Sequence, residues 1–273
     1  MIDNASSPPL ELTPFSDAAS ANSRIVCEPQ LGLASARRRG LTEARAEICV
    51  FVDDDNVLAP DYLERVVALF AAHPRVGALG GKSIAEFECE PPAWVMEFID
   101  LLACRDLGEA PLLSSGLRNR ATGQNEYPLC APIGAGMALR TAAARVWLAD
   151  AGAIRLPDRR GDELTSSGDN DIVLAIMRAG WEVGYFPELR LSHLIPSGRI
   201  DPDYLERLNR GIAKSWMQVL RKYDVNPWPP IAAWSVPLRK SKAWFVYRAW
   251  SSPAARIRWQ GACGHFEGRV VPT

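Results

Sequence analysis

Apolar positions along the chain come in short runs, and changes in their period mark out successive elements. Arg24 to Glu28 (RIVCE) is a short β-type run, followed by a helix-length segment rich in Ala, Leu and Arg from Gly32 to Arg45. Ile48 to Val52 (ICVFV) is continuously apolar and rich in β-branched residues, the pattern of a strand buried on both faces. It stops abruptly at Asp53-Asp54-Asp55-Asn56. Pro60 then opens a helix, DYLERVVALFAAH, with proline in its first turn and apolar positions at Leu63, Val66, Val67 and Phe70. Val76 to Gly80 predicts a further strand.

The alternation of strands and helices argues for an α/β fold, a mostly parallel sheet with flanking helices. From Lys82 to about Tyr127 the periodicity fails, and Pro, Gly and polar clusters dominate. Order returns with Ala131 to Arg140 (APIGAGMALR), then a helix from Thr141 to about Ala151, then a helix over Asp171 to Ala179 that Gly180 closes. Trp181 to Phe186 (WEVGYF) reads as a strand, and Asp201-Pro202 opens an amphipathic helix reaching about Tyr223. There is no internal repeat and no low-complexity segment.

Composition sets limits on this picture. Of 273 residues, 48% are hydrophobic and 23% charged, with 31 Lys+Arg against 32 Asp+Glu. That is the profile of a soluble globular protein, and it excludes a disordered tail, a collagen-like chain and a coiled-coil rod. A net charge of -1 supplies no whole-chain basic field to recruit nucleic acid. No apolar run approaches the ~18 to 20 residues that span a bilayer. The N-terminus has no basic segment followed by an apolar one, so it is not read as a secretory signal. Cys27, Cys49, Cys89, Cys104, Cys130 and Cys263 form no C-x-x-C pair, most sit in apolar runs, and they read as reduced core residues of a cytoplasmic protein.

The near-neutral total conceals an uneven distribution. Val225 to Phe266 contains no acidic residue, while Arg239, Lys240, Lys242, Arg248, Arg256 and Arg258 are basic, which leaves the remainder of the chain at -7. Trp228, Trp234, Trp244, Trp250 and Trp259 lie in the same stretch. Two readings stay open: a helical extension packed on the body with solvated basic residues, or a peripheral surface for the inner face of a membrane or for a lipid-linked acceptor. Nucleic-acid binding is set aside because no recognised module surrounds these residues.

The acidic triplet is the sharpest chemical feature. In open parallel sheets ligands bind beyond the carboxyl ends of the strands, where Asp53, Asp54 and Asp55 project. Adjacent carboxylates repel unless a cation or its equivalent offsets them, and Mg²⁺ is typically held by one or two carboxylates plus substrate phosphates. The competing reading is a solvated acidic turn capping the helix at Pro60. In Ser167-Gly168-Asp169-Asn170-Asp171, Asp171 reads equally well as a plain N-cap. Asp169 is better placed to face a site as a general base. His193, just after a predicted strand, is either a satisfied core residue or an imidazole ligand beside the carboxylates.

The run GLASARRRGLTEARAEICVFVDDDNVLAPDYLERVV resembles the nucleotide-binding core of the family 2 glycosyltransferases, which have the GT-A fold. The later GAGMALR, SGDNDIVLAIMRAGWEVGYFPELRLSHLIPSGRI and DPDYLERLNRGIAKSW continue the likeness in the same order, over roughly residues 1 to 222. The division this implies is a GT-A domain over 1–222 and a basic, Trp-rich helical extension over 223–273.

The resemblance implies roles residue by residue. Asp53 and Asp55 match the two acids of a D-x-D motif, Asp53 near the ribose and Asp55 on a Mg²⁺ or Mn²⁺ that bridges the diphosphate of a nucleotide sugar. Asp169 matches the presumed base of an E-D segment, with Gly168 in place of the first acid. His193 sits where many members complete the metal or diphosphate site, and Arg37 would lie near the nucleotide, with Arg38 in place of the usual Asn. Met1-Ile2-Asp3-Asn4-Ala5-Ser6 is similar to the segment that ends the family's second strand, which gives Asp3 a contact with the nucleobase. It also implies that the family's first strand-helix unit is missing from these 273 residues, through an internal start or a truncated relic.

The function so implied is metal-dependent, inverting transfer of a sugar from a nucleotide-diphosphate sugar to an acceptor hydroxyl in glycan or glycolipid synthesis. One alternative is a non-catalytic remnant that binds a partner or a membrane surface. Another is a haloacid-dehalogenase-like phosphatase, because FVDDDNV also fits a strand followed by D-x-D-x-[TV], with Asp53 as nucleophile. That family's later G-D-x-x-x-D would then fall on Gly168-Asp169, with Val173 at the final position.

Overall fold

The structure, a computed structural model, describes residues 1–11, 23–118, 123–150, 164 and 167–270. Strands β1 (Ile2–Asp3) and β2 (Val26–Cys27) pair in parallel as a small sheet of their own. The chain continues through α1 (Leu33–Glu43), β3 (Ile48–Val50), β4 (Asn56–Leu58), α2 (Tyr62–Ala72) and β5 (Val76–Phe87). A 3-10 segment (Ala93–Leu102) and β6 (Leu112–Ser114) precede β7 (Ala138–Arg140), α3 (Thr141–Ala149), α4 (Gly168–Arg178) and β8 (Glu182–Ile195). A 3-10 turn (Ser197–Ile200) leads into α5 (Pro202–Lys222), and α6 (Val236–Val246) and α7 (Pro253–Arg269) follow.

The main sheet has the order β3-β7-β5-β8-β4, with β6 also on β8. The α/β class is as expected: β3, β5 and β8 run the same way, and the longest ladder, β5 with β8, is parallel. The short strands β4, β6 and β7 run against their neighbours, which the alternation of elements did not indicate. On one face Met137, Leu139, Trp147, Ile172, Ile176, Val183 and Met217 form the main core beneath α3, α4 and α5. On the other, α2 buries Tyr62, Val66 and Phe70 against Val76, Leu79 and Phe186. The i, i+4, i+8 spacing of those three defines its inner face. Leu63 and Val67, which the pattern also counted as apolar stripe, are each 57% exposed.

At the C-terminal end α7 lies along α5. Gly261, Gly264 and Gly268 let the two backbones approach; a Cβ at Gly264 would stand 2.0 Å from the Arg210 carbonyl oxygen. Ala254 and Ile257 of α7 share a buried cluster with Leu205 and Leu208 of α5. All six cysteines are free thiols, but the core expectation holds only for Cys104, Cys130 and Cys263, which are buried; Cys49 is half-buried, and Cys27 and Cys89 are exposed. Among the described residues no helix is long and apolar enough to cross a membrane.

Candidate active site

The acidic triplet follows β3 at the carboxyl end of that strand. Asp53 and Asp55 are half-buried, and Asp54 between them is exposed. Strand β4 pairs with β8 in a register that sets Asn56 opposite His193. Asp55, one residue earlier, is thereby carried to the imidazole, with its Oδ2 3.2 Å from His193 Nε2. His193 thus lies within β8, not after the strand, and is 4% exposed. Its Nδ1 lies 3.8 Å from the Cys104 sulfur.

Arg37 enters from α1. It is buried, with Nη2 3.6 Å from Asp53 Oδ2 and its guanidinium 5.3 Å from the centre of the Phe51 ring. A Cβ at Gly134 would stand 2.2 Å from that Nη2, so the absent side chain leaves room for the arginine. The Gly134 N–H donates to Asp169 Oδ2 at 2.9 Å, tying the same turn to the first turn of α4. There the partial positive charge of the helix end favours a carboxylate. Asp169 Oδ1 accepts from the Asn170 N–H at 2.9 Å. Arg37, Asp53, Asp55, Asp169 and His193 all line one cleft of about 730 Å³.

Two predicted positions have other surroundings. Asp3 is 3% exposed and does not line the cleft; its oxygens accept the N–H groups of Ser6 at 3.0 Å and Leu10 at 3.2 Å. These bonds shape the turn after β1, and the neighbouring Asn4 and Ser6 line the cleft. Asp171 is not an N-cap. It is buried in α4, where it accepts from Trp147 Nε1 at 2.6 Å, Lys222 Nζ at 2.8 Å and the Tyr223 hydroxyl at 2.9 Å. Arg38 turns from the site, and its guanidinium donates to the Leu148 carbonyl.

Sequence reasoning missed Arg199. It stands in the 3-10 turn after β8, and its Nη2 donates to Asp55 Oδ2 at 3.0 Å. The available signal was a lone cation six residues after His193 in the SHLIPSGRI segment.

These contacts set the electrostatics. Burial pushes the Asp53 carboxyl above its ordinary range; Arg37 opposes that shift, while Asp55 and Asp169 add to it. Burial would raise Asp55 too, but His193 and Arg199 outweigh it and hold the carboxyl low. Burial of His193 disfavours the imidazolium, yet Asp55 and Cys104 beside it raise its pKa to about 9. The acidic turn is therefore balanced by the protein's own cations, which the solvated-cap reading did not provide.

The donor set can be tested against a divalent cation. Among the described residues no three His, Cys, Asp or Glu side chains converge as a complete metal cage. Asp55 and His193 bring two donors to one point, and the buried His193 Nε2 has no acceptor in hydrogen-bond alignment. Two side chains completed by phosphate oxygens suffice for a hard cation, so the residues fit. Arg199 holds the same Asp55 oxygen, and a cation there would compete with it.

The family model described as glycosyl transferase family 2 matches residues 2–139, half of the chain. The protein belongs to glycosyl transferase family 2. The matched span of this family member contains Asp3, Arg37, Asp53 and Asp55, and Asp169 and His193 lie beyond it. Family membership sets aside the phosphatase alternative, and Val173, where that motif needs a second aspartate, is fully buried in α4. No curated protein matches the chain. Among solved structures it is similar to GalNAc-T7 with UDP, GalNAc and Mn²⁺, at 13% identity over 89% of this chain and 43% of that one, with a TM-score of 0.44. It is also similar to the mannosyltransferase PcManGT from Pyrobaculum calidifontis with GDP-Man and Mn²⁺, at 18% identity over 85% and 55%, TM-score 0.44. A mycobacterial protein matches at 16% identity over 74% and 58%, TM-score 0.42. The chain spans about half the length of these structures.

Proposed function

We propose that this family 2 glycosyltransferase moves a sugar from a nucleotide-diphosphate donor to an acceptor hydroxyl, with Mg²⁺ or Mn²⁺ and with inversion at the anomeric carbon. The observation that carries the reading is the convergence of Arg37, Asp53, Asp55, His193 and Asp169 on one cleft. Arg37 is buried with its Nε unpartnered, a donor suited to an anionic group of the nucleotide. Asp53, held by Arg37, takes the place beside the ribose. Asp55 and His193 are the side chains that would hold the cation. When bound, the cation offsets the charge that develops on the diphosphate leaving group.

Asp169 is the proposed base. Both its oxygens are oriented by backbone N–H groups, and each keeps a further lone pair for the acceptor proton. Attack by the hydroxyl that Asp169 deprotonates, with the diphosphate leaving from the opposite face of the anomeric carbon, would make the transfer a single displacement. The acceptor is a glycan or a lipid-linked sugar, and the protein works in the cytoplasm.

Calorimetric titration of UDP and GDP, with and without Mn²⁺, tests this. Asp55→Ala is expected to lose the metal-dependent part of nucleotide binding. Asp169→Asn is expected to bind as wild type and lose transfer by about 10²- to 10⁴-fold; unchanged turnover would remove Asp169 as the base. Absence of binding to either nucleotide would leave the non-catalytic reading in its place.

A further inference from the structure

Helix α6 carries its apolar residues on the wrong side for a packed helix. Leu238 and Phe245, seven apart and so on one face, are 66% and 67% exposed, and Val246 is 67% exposed. Trp234, just before the helix, is 75% exposed, and Trp250, just after it, 57%. The Trp250 and Phe245 rings lie 5.9 Å apart, so the end of the helix and the following turn present one continuous aromatic patch. The inward side is already satisfied: Ala243 is buried, and Trp244 stacks edge-on against Trp259 of α7 at 4.7 Å.

The basic residues of this region divide by the same geometry. Lys240, Arg256 and Arg258 are spent on Glu267, Glu206 and Glu97. Arg239, Lys242 and Arg248 are exposed and have no carboxylate partner among the described residues. Lys242, four residues after Leu238 and three before Phe245, shares their face, and Arg239 lies at its edge with its Nε donating to Ser235 Oγ. The uncompensated charge and the uncovered apolar area therefore coincide.

We propose that the outward face of α6, with Trp234 and Trp250 at its ends, docks on an anionic lipid bilayer, lying on the surface without crossing it. Aromatic side chains beside cations suit the boundary between headgroups and acyl chains. Two copies of the chain meeting through this face would oppose like charges, which disfavours self-association. Nucleic acid would leave the aliphatic Leu238 and Val246 without a partner. This inference stands apart from the assignment of the transfer reaction.

Flotation of the full chain with vesicles tests it. Binding is expected to vesicles of equal parts phosphatidylglycerol and phosphatidylcholine, and not to phosphatidylcholine alone. Each basic side chain near an anionic surface is worth roughly fivefold, so Arg239→Glu, Lys242→Glu and Arg248→Glu together should weaken binding by about a hundredfold or more. High salt should act in the same direction. Phe245→Ser with Trp250→Ser should also weaken it, and circular dichroism should show these variants folded as wild type. Failure of the wild-type chain to float, or equal flotation of the charge-reversed variant, overturns the proposal. So does a lipid-free dimer that Phe245→Ser dissociates.

Discussion

His193 sits between a thiol and a carboxylate, and its titration is a property of that placement. Burial disfavours the charged ring, but Asp55 and Cys104 outweigh it and raise the pKa from 6.5 to about 9. A group raised on folding contributes stability that is complete below its unfolded value and is lost as pH climbs through the folded one. In chelator-treated buffer the unfolding free energy from urea titration should therefore fall between about pH 6.5 and pH 9, by ~1–2 kcal/mol once solvent screening is allowed for. His193→Gln should flatten that window; an unchanged slope would place the titrating group elsewhere. His265 moves the other way, lowered by burial and by Arg269, so its contribution is lost below its ordinary range and does not overlap. Residues at the ends of regular elements, such as Asp53, Asp55 and Asp169, were readable because their cause is local. Arg199 was not, since its contact joins positions 144 apart, and Asp171 misled because its three partners come from α3, α5 and the residue after α5.

At the scale of elements, β5 and β8 run well past the ends that their patterns predicted, and the ladder shows why. Between the pairs Gly80 with Tyr185 and Lys82 with Arg190, β5 spends only Gly81 while β8 spends Phe186 to Leu189. Pro187 falls inside this bulge, where no ladder donor is needed. A proline that signals the end of a strand here marks an irregularity within one. Helices were easier to read, because Pro202 in the first turn and the Asp201 cap of α5 are local signals that the structure uses. What the helical pattern did not show is the closeness of α5 and α7. An exposed helical Gly→Ala change gains about 1 kcal/mol, but a methyl at Gly264 would press on the Arg210 backbone. Gly264→Ala is therefore expected to destabilise by about 2 kcal/mol in urea unfolding, while Gly116→Ala, with open space around it, stays within about 0.5 kcal/mol. A neutral Gly264→Ala would mean that the two helices separate readily.

At the scale of the whole molecule, α5 is shared between the body and the C-terminal helices. Its Met217, Val219 and Leu220 belong to the main core, while Leu205 and Leu208 are covered by Ala254 and Ile257 of α7. Tyr223 and Val225, beyond the division at 222, are themselves buried in the main core, and the Tyr223 hydroxyl donates to Asp171 beside the proposed base. A chain ending at 222 would uncover that face of α5 and leave the buried Glu206 without Arg256. Each large apolar side chain so exposed costs about 1.5–3 kcal/mol, and several together approach the ~5–15 kcal/mol that holds a domain folded. The full chain should melt in one calorimetric transition, and residues 1–222 alone should aggregate or melt without cooperativity. If instead 1–222 unfolds cooperatively and binds a nucleotide as tightly as the full chain, the basic helices are a separable domain. The site would then owe them nothing but its position on a surface.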